Sequence, residues 1–367
     1  MQSFFNVKLP PVRDDIFKER KEMEPIKRIL TPTLERPNYY LIIGPHGCGK
    51  STLINFVAGT FKKGIIHVEG SDDIEKFGEN FAKAINYPEL DVNLVKWLVN
   101  QLSGGPYTHK LLWQKVLSRF EEFASKAVKK YSIHPVLIID DIAKIATNYP
   151  KVVERLQNVA KTAADHRLFT VVFVASDANL IDNFMKNSSY SRCRTLYIGD
   201  FNENEALAYL INNRNINAQI AKRIFDLCGG RISHIVGVAS EVDQLIALRK
   251  SLRKSVDYKD NEFCEEVIKI VDEQVNGIKQ DYRQVWDTYV PENSNRKILQ
   301  FLCNNLDAEF TRRDIIRLFD ERTGEYIFST LLKNNIITYK GGIIEFGAPV
   351  IKTMLSELHE KEQEIDV

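Results

Sequence analysis

No apolar run in this chain reaches the length of a transmembrane helix. Cysteine is scarce. The five present, at positions 48, 193, 228, 264 and 303, are scattered, odd in number and free of C-x-x-C spacing. They suggest neither a disulfide framework nor a zinc site, which fits a reducing compartment. Charge of one sign is not in excess either: 50 Lys and Arg against 49 Asp and Glu leave a net charge of +1. No overall basic field therefore argues for nucleic acid, and such a role would need a local patch. Internal repeats and low-complexity tracts are missing as well. Met1 to Arg13 carries Lys8 and Arg13 and no acid, but it contains prolines and lacks the Arg/Ser richness of a transit peptide. The default is an intracellular protein, cytoplasmic or nuclear, with an organelle signal as the weaker alternative.

What is present is a globular composition, 44% hydrophobic and 27% charged, over 367 residues. That length is too great for one ordinary core, so two or three domains are expected. The most informative stretch is YYLIIGPHGCGKSTLINFVAG, Tyr39 to Gly59. An apolar strand runs into Gly44-Pro45-His46-Gly47-Cys48-Gly49-Lys50-Ser51, a full match to G-x-x-x-x-G-K-[ST], and Thr52 opens a half-apolar helix. Glycines let the backbone adopt positive φ and turn its N–H groups onto phosphates. Lys50 would reach the β- and γ-phosphates of ATP, and the Ser51 hydroxyl would hold Mg²⁺. The helix adds the positive end of its dipole. His46 and Cys48 occupy variable positions of the motif and read as loop filler rather than catalysts. The nucleotide-contacting set is thus Gly44 through Thr52.

A second stretch, HPVLIIDDIAKI, has a continuous apolar run at Val136 to Ile139, as in a strand covered on both faces of a parallel sheet. It emerges at Asp140 and Asp141. Asp140 would be the outer-sphere partner of the Mg²⁺ held by Ser51, and Asp141 would orient or deprotonate the attacking water. A third apolar strand, Phe169 to Asp177, ends in small polar residues. If it lies between the other two, Ser176 or Asp177 projects toward the γ-phosphate; the plainer alternative is a strand ending in a turn.

In this order, the features resemble the AAA+ and STAND group of P-loop ATPases. The resemblance implies an α/β nucleotide domain with a parallel sheet, followed by an all-helical lid and a winged helix. It also implies roles for further residues. Ser191-Arg192-Cys193-Arg194 sits where AAA+ clamp loaders and origin-recognition-like initiators carry an arginine finger for the neighbouring subunit, so Arg192 would serve an ATP-dependent homo-oligomer. The other reading is that Arg192 and Arg194 solvate a strand edge. Phe17 and Arg20 match the short N-terminal helix that closes over adenine in archaeal-type ATPases. Arg231, after Gly229-Gly230, stands at the place of the second sensor arginine; the two glycines also read as a helix C-cap.

Two departures pull toward the STAND branch. The acidic pair is Asp-Asp rather than Asp-Glu, and the shorter Asp141 suggests slow turnover. Asp140 follows Lys50 by 90 positions, more than the AAA+ module needs, and the excess reads as helices.

Domain boundaries are expected at 1–200 for the nucleotide domain, 201–290 for the lid and 291–367 for the winged helix with its acidic tail. In the lid, Leu207, Leu210 and Ile211 share one helical face. The last domain shows NRKILQFLCNN, a capping-box-like start at Thr311 and Asp314, a helix in GEYIFSTLLKNN and a hairpin about Lys340-Gly341-Gly342. Its candidate recognition helix carries one base, Lys333, and the acid Glu325. Arg312, Arg313, Arg317 and Arg322 precede it, interleaved with Asp314, Asp320 and Glu321. DNA contact and protein contact both stay open for this module. The expected function is an ATP-dependent conformational switch with an unidentified protein client and ATP bound between the first two domains. An initiator-like DNA-binding ATPase, a non-hydrolysing scaffold and, least favoured, a kinase are the alternatives.

Overall fold

A computed structural model describes residues 20–31, 37–61, 63–87, 112–176, 184, 186–340 and 343–365. The chain divides into two compact units. The first contains the described residues up to Gly44 and Lys50–Ile198; the second contains Pro45–Gly49 and the described residues from Gly199 onward.

The first unit is built on five parallel strands: β1 (Tyr39–Ile43), β2 (Ile65–Glu69), β3 (Val136–Asp140), β4 (Thr170–Ala175) and β5 (Cys193–Tyr197). Their order is β2-β3-β4-β1-β5. Strand β3 is buried along its whole length and β4 along all but its first residue, as their unbroken apolar sequences require when helices cover both faces. In register, Ile43 pairs with Ala175, and Ile139 with Phe173. Strand β4 therefore lies between β1 and β3. Because β5 lies on the far side of β1 from β4, the strand order reverses at β1. Crevices at the carboxyl ends of such a reversal are where open α/β sheets bind ligands.

Over the sheet, the helices Ile74–Ala84 and Leu112–Tyr131 present a line of buried rings. Phe77 meets Trp113 at 6.5 Å between centroids, Phe81 meets Phe120 at 6.1 Å, and Phe120 meets Phe169 edge-on at 4.8 Å. Asp73 caps the first of these helices by accepting from the Glu75 amide at 2.8 Å. These helices fill the long interval between the two nucleotide motifs at both its ends; residues 88–111 lie outside the described set.

The second unit is helical from Glu203 to Tyr289, with helices Ala218–Cys228, Ile232–Ser251 and the 29-residue Asn261–Tyr289. Its first helix, Glu203–Ala208, starts in a capping box between Asn202 and Glu205 and passes into a π turn at Tyr209–Asn213. The extra residue per turn rotates the buried face. Ala206, Tyr209 and Leu210 are buried, while Leu207 and Ile211 are only partly so. Gly229, at φ +68°, ends the helix before it. Gly230 passes so close to Phe201 that an added Cβ would lie 1.8 Å from its carbonyl oxygen.

Helices Glu292–Asn304, Arg312–Ile316 and Glu321–Lys333 follow, then the antiparallel pair β6 (Ile337–Lys340) and β7 (Ile343–Phe346), and a last helix, Pro349–Ile365. Phe310 forms an isolated bridge to Ile344. The Asp314 carboxylate accepts from both the amide (2.8 Å) and the hydroxyl (2.7 Å) of Thr311, the start expected there. Gly341 and Gly342 of the expected turn are outside the described residues. Among the described residues, no helix is long and apolar enough to cross a membrane.

Candidate nucleotide site

In the first unit, β1 ends at Ile43, just before Gly44, and the helix Lys50–Gly59 begins with the motif lysine. Lys50 is buried, and its Nζ donates to the Gly44 carbonyl at 2.9 Å. One residue on, the Ser51 hydroxyl donates to Asp140 Oδ1 at 3.0 Å. This bond joins residues from the two motifs, 89 positions apart in sequence. The same Oδ1 accepts the Asp141 amide at 2.9 Å, and Oδ2 faces His67 Nε2 at 3.4 Å. Burial pushes the Asp140 carboxyl up, but the hydrogen bonds from His67 and Ser51 outweigh it and hold it below the usual carboxylate range. Asp140 is thus an ionised, nearly buried oxygen donor with a serine hydroxyl on it.

Hard oxygen donors of this kind suit Mg²⁺, which takes one or two protein ligands and completes its shell with water and phosphates. Among the described residues, no group of three or more His, Cys, Asp or Glu could hold a metal ion by itself. Ser51 and Asp140 fit a metal that arrives with a nucleotide.

Asp141 adopts the left-handed conformation, φ +55° and ψ +46°. Gly70 explains how it is accommodated: its amide donates to the Asp140 carbonyl at 2.7 Å, and a Cβ there would come within 2.5 Å of the Asp141 carbonyl oxygen. The Asp141 carboxylate is paired with Lys144 Nζ at 2.8 Å. That hydrogen bond raises the Lys144 pKa. Ser176 follows β4 directly and is half-buried. Arg192 lies farther along this unit, half-exposed, its Nε donating to Asp165 at 2.7 Å. Arg194 is exposed. Arg20 is buried, with Nε donating to Glu22 at 3.1 Å. Phe17 and Asp177 are outside the described residues.

In the second unit, the loop apex, Pro45–Gly49, is held by residues much later in the chain. Gly47 and Gly49 take φ of +77° and +88°, the conformations that the motif's glycines permit. The Gly47 carbonyl accepts from the Ser233 amide at 3.1 Å, and a Cβ on Gly47 would lie 2.4 Å from Ser233 Oγ. The His46 amide donates to Asn335 Oδ1 at 3.1 Å. Arg231, 2% exposed, donates from Nε to Asp200 at 2.6 Å, from Nη1 to the His46 carbonyl at 2.8 Å and from Nη2 to the Gly347 carbonyl. Its charge faces a carboxylate and two carbonyls.

Of the expected residues, Ser51, Asp140 and Asp141 are brought into one hydrogen-bonded set, while Lys50 bonds to the Gly44 carbonyl. His67 and Lys144 belong to that set and are new. His67 stands on β2, which no motif marks. Lys144 follows Asp141 by three positions on a helix, a spacing that signals a pair only once the helix is known.

A family model described as an ATPase domain predominantly from Archaea matches residues 17–238, more than half of the chain. Among solved structures, a Walker-type ATPase of Pyrococcus abyssi superposes with a TM-score of 0.59 at 16% identity, over 96% of this chain and 99% of that one. Cdc6p from Pyrobaculum aerophilum superposes with a TM-score of 0.50 at 12% identity, over 97% of each. At such identities these likenesses are of fold. A curated relative, the proteasome-associated ATPase of Catenulispora acidiphila, is 30% identical over 119 residues, which make up 32% of this chain. The match spans only 16% of that relative's length.

Proposed function

This chain belongs to the family of ATPase domains found predominantly in Archaea, and on that premise we propose that it binds ATP with Mg²⁺, hydrolyses it slowly and acts as a nucleotide-dependent switch. The observation that carries the reading is the Ser51–Asp140 hydrogen bond at 3.0 Å. It pairs a motif hydroxyl with the acid at the end of β3 (Val136–Asp140), the first to hold Mg²⁺ directly and the second through water. Lys50 neutralises phosphate charge, and the loop amides orient the phosphates for in-line attack. Asp141 is the group that would take the proton of the attacking water. Its short side chain and its pairing with Lys144 support slow turnover. Ser176 and Arg231 complete the proposed catalytic set, with Arg192 contributed to a neighbouring copy and Arg20 beside the adenine.

What supports a switch is that the loop apex is hydrogen-bonded to Arg231 and Asn335. Nucleotide entering the loop would have to leave those bonds intact or exchange them, and either response is felt in the proposed lid, 201–290, and winged helix, 291–367. A subclass between AAA+ and STAND accords with the arginines on one side and the Asp-Asp pair on the other.

An initiator-like role on DNA is the second reading, and one observation bears against it. Arg312 donates from Nη2 to both oxygens of Glu325, at 2.8 and 2.7 Å, and its guanidinium lies over the Phe328 ring. That guanidinium is engaged on its own domain instead of being presented to phosphate, so a protein client is the favoured partner. The test is phosphate release under saturating Mg²⁺-ATP: Asp141→Ala should lower kcat by about 10²- to 10⁴-fold while retaining ATP. Unchanged kcat in that variant would remove hydrolysis through Asp141 from the account.

A further inference from the structure

We propose that His67 is a positioning residue for the metal-holding carboxylate of Asp140, an inference that rests on the nucleotide-site reading above. His67 lies on the strand Ile65–Glu69, opposite Ile138 in register. Its side chain is 10% exposed and that of Asp140 is 11% exposed. Their closest approach is Nε2 to Oδ2, at 3.4 Å. An ionised carboxylate can only accept, so Nε2 must carry the proton and His67 must be the donor.

The importance of this contact follows from what the other two donors do. Oδ1 accepts from the Ser51 hydroxyl and the Asp141 amide. The Ser51 hydroxyl can offer a lone pair to the metal while its proton stays on Asp140 Oδ1. Among the described residues, Oδ1 is then held by the Ser51 hydroxyl and the Asp141 amide, and Oδ2 by His67. With the imidazole gone, Oδ2 of a nearly buried acid would lose the donor that fixes its plane. Hydrogen-bonded partners of metal-holding carboxylates orient them, and losing one typically costs 10- to 100-fold in metal affinity. Asp140 would hold Mg²⁺ through water, so the lower end is expected here.

The experiment titrates full-length wild-type protein, His67→Leu and His67→Gln with a fluorescent ATP analogue, first in EDTA and then across Mg²⁺ concentrations. His67→Leu keeps bulk without a donor, whereas His67→Gln keeps an N–H. The expected result is a Mg²⁺ requirement about 10-fold higher in His67→Leu, affinity in EDTA unchanged within twofold, and a requirement near the wild-type value in His67→Gln. An unchanged Mg²⁺ requirement in His67→Leu overturns the proposal, as does equal loss in both variants with affinity in EDTA lost too. Wild-type protein that binds no analogue would instead sink the nucleotide-site reading itself. A second measurement needs no variant to fold with full occupancy: imidazole ¹⁵N shifts of the wild-type protein at pH 8. They should show His67 as the Nε2–H tautomer, and an Nδ1–H tautomer contradicts the assignment.

Discussion

At Asp141, a single side chain carries both the proposed chemistry and the reason it should be slow. Its backbone is left-handed, a conformation uncommon outside glycine, and it is tolerated because Gly70 leaves room beside it. The carboxylate then meets Lys144. Both side chains of that pair are partly exposed, 34% and 48%, so the pair is worth at most a few tenths of a kcal/mol. Lys144→Met should therefore raise kcat modestly, by no more than about threefold, with KM for ATP unchanged. Steady-state kinetics check this, and a fall in kcat would mean that Lys144 assists the reaction. The motif residues were legible in the sequence because phosphate cradling demands glycines, lysine and serine at fixed spacing. His67 and Lys144 were not legible. Their roles depend on strand order and helix placement, which a motif does not encode.

At the scale of elements, the apolar runs at 136–139 and 170–175 announced buried parallel strands, but not the order β2-β3-β4-β1-β5 in which they pair. The π turn at Tyr209–Asn213 was invisible because its face differs from that of an α-helix by one residue. The segment Gly229–Gly230 shows two physical needs in adjacent residues. Gly229 takes a positive φ, while Gly230 lies against the Phe201 backbone. Gly230→Ala should destabilise the protein by about 1–3 kcal/mol, the cost of overpacking against atoms that cannot turn aside, read as a lower thermal midpoint. An unchanged midpoint would show that the two segments can separate.

On the next helix, burial and the Arg231 charge push the His234 imidazole down to about 4. Tyr282 faces it at 3.4 Å. A histidine whose pKa is lower in the folded than in the unfolded chain is neutral in the fold and protonates first on unfolding. Its contribution to stability is full above about pH 6.5 and is lost as pH falls toward 4. His234→Phe should flatten the stability–pH curve by roughly 1–3 kcal/mol over that window. An unaltered slope in denaturant titrations would contradict it.

For the whole molecule, the family and the sheet agree on a P-loop ATPase, and two questions concern how copies and domains act together. Arg192 is half-exposed and paired with Asp165. If it serves a neighbouring copy, light scattering should show ATP-dependent assembly of the wild type that is lost in Arg192→Ala. A monomer under every condition would favour a self-contained switch. The grip of Arg231 and Asn335 on the loop apex was not legible in the sequence, since those contacts join residues 185 and 289 positions apart.

The most direct test of the account is equilibrium binding of ATP in the presence of Mg²⁺ to the wild-type chain and to Lys50→Ala. Micromolar binding by the wild type, weakened at least 100-fold by the substitution with the fold intact by circular dichroism, is the predicted result. Equal binding by the two proteins, or none by the wild type, would contradict it.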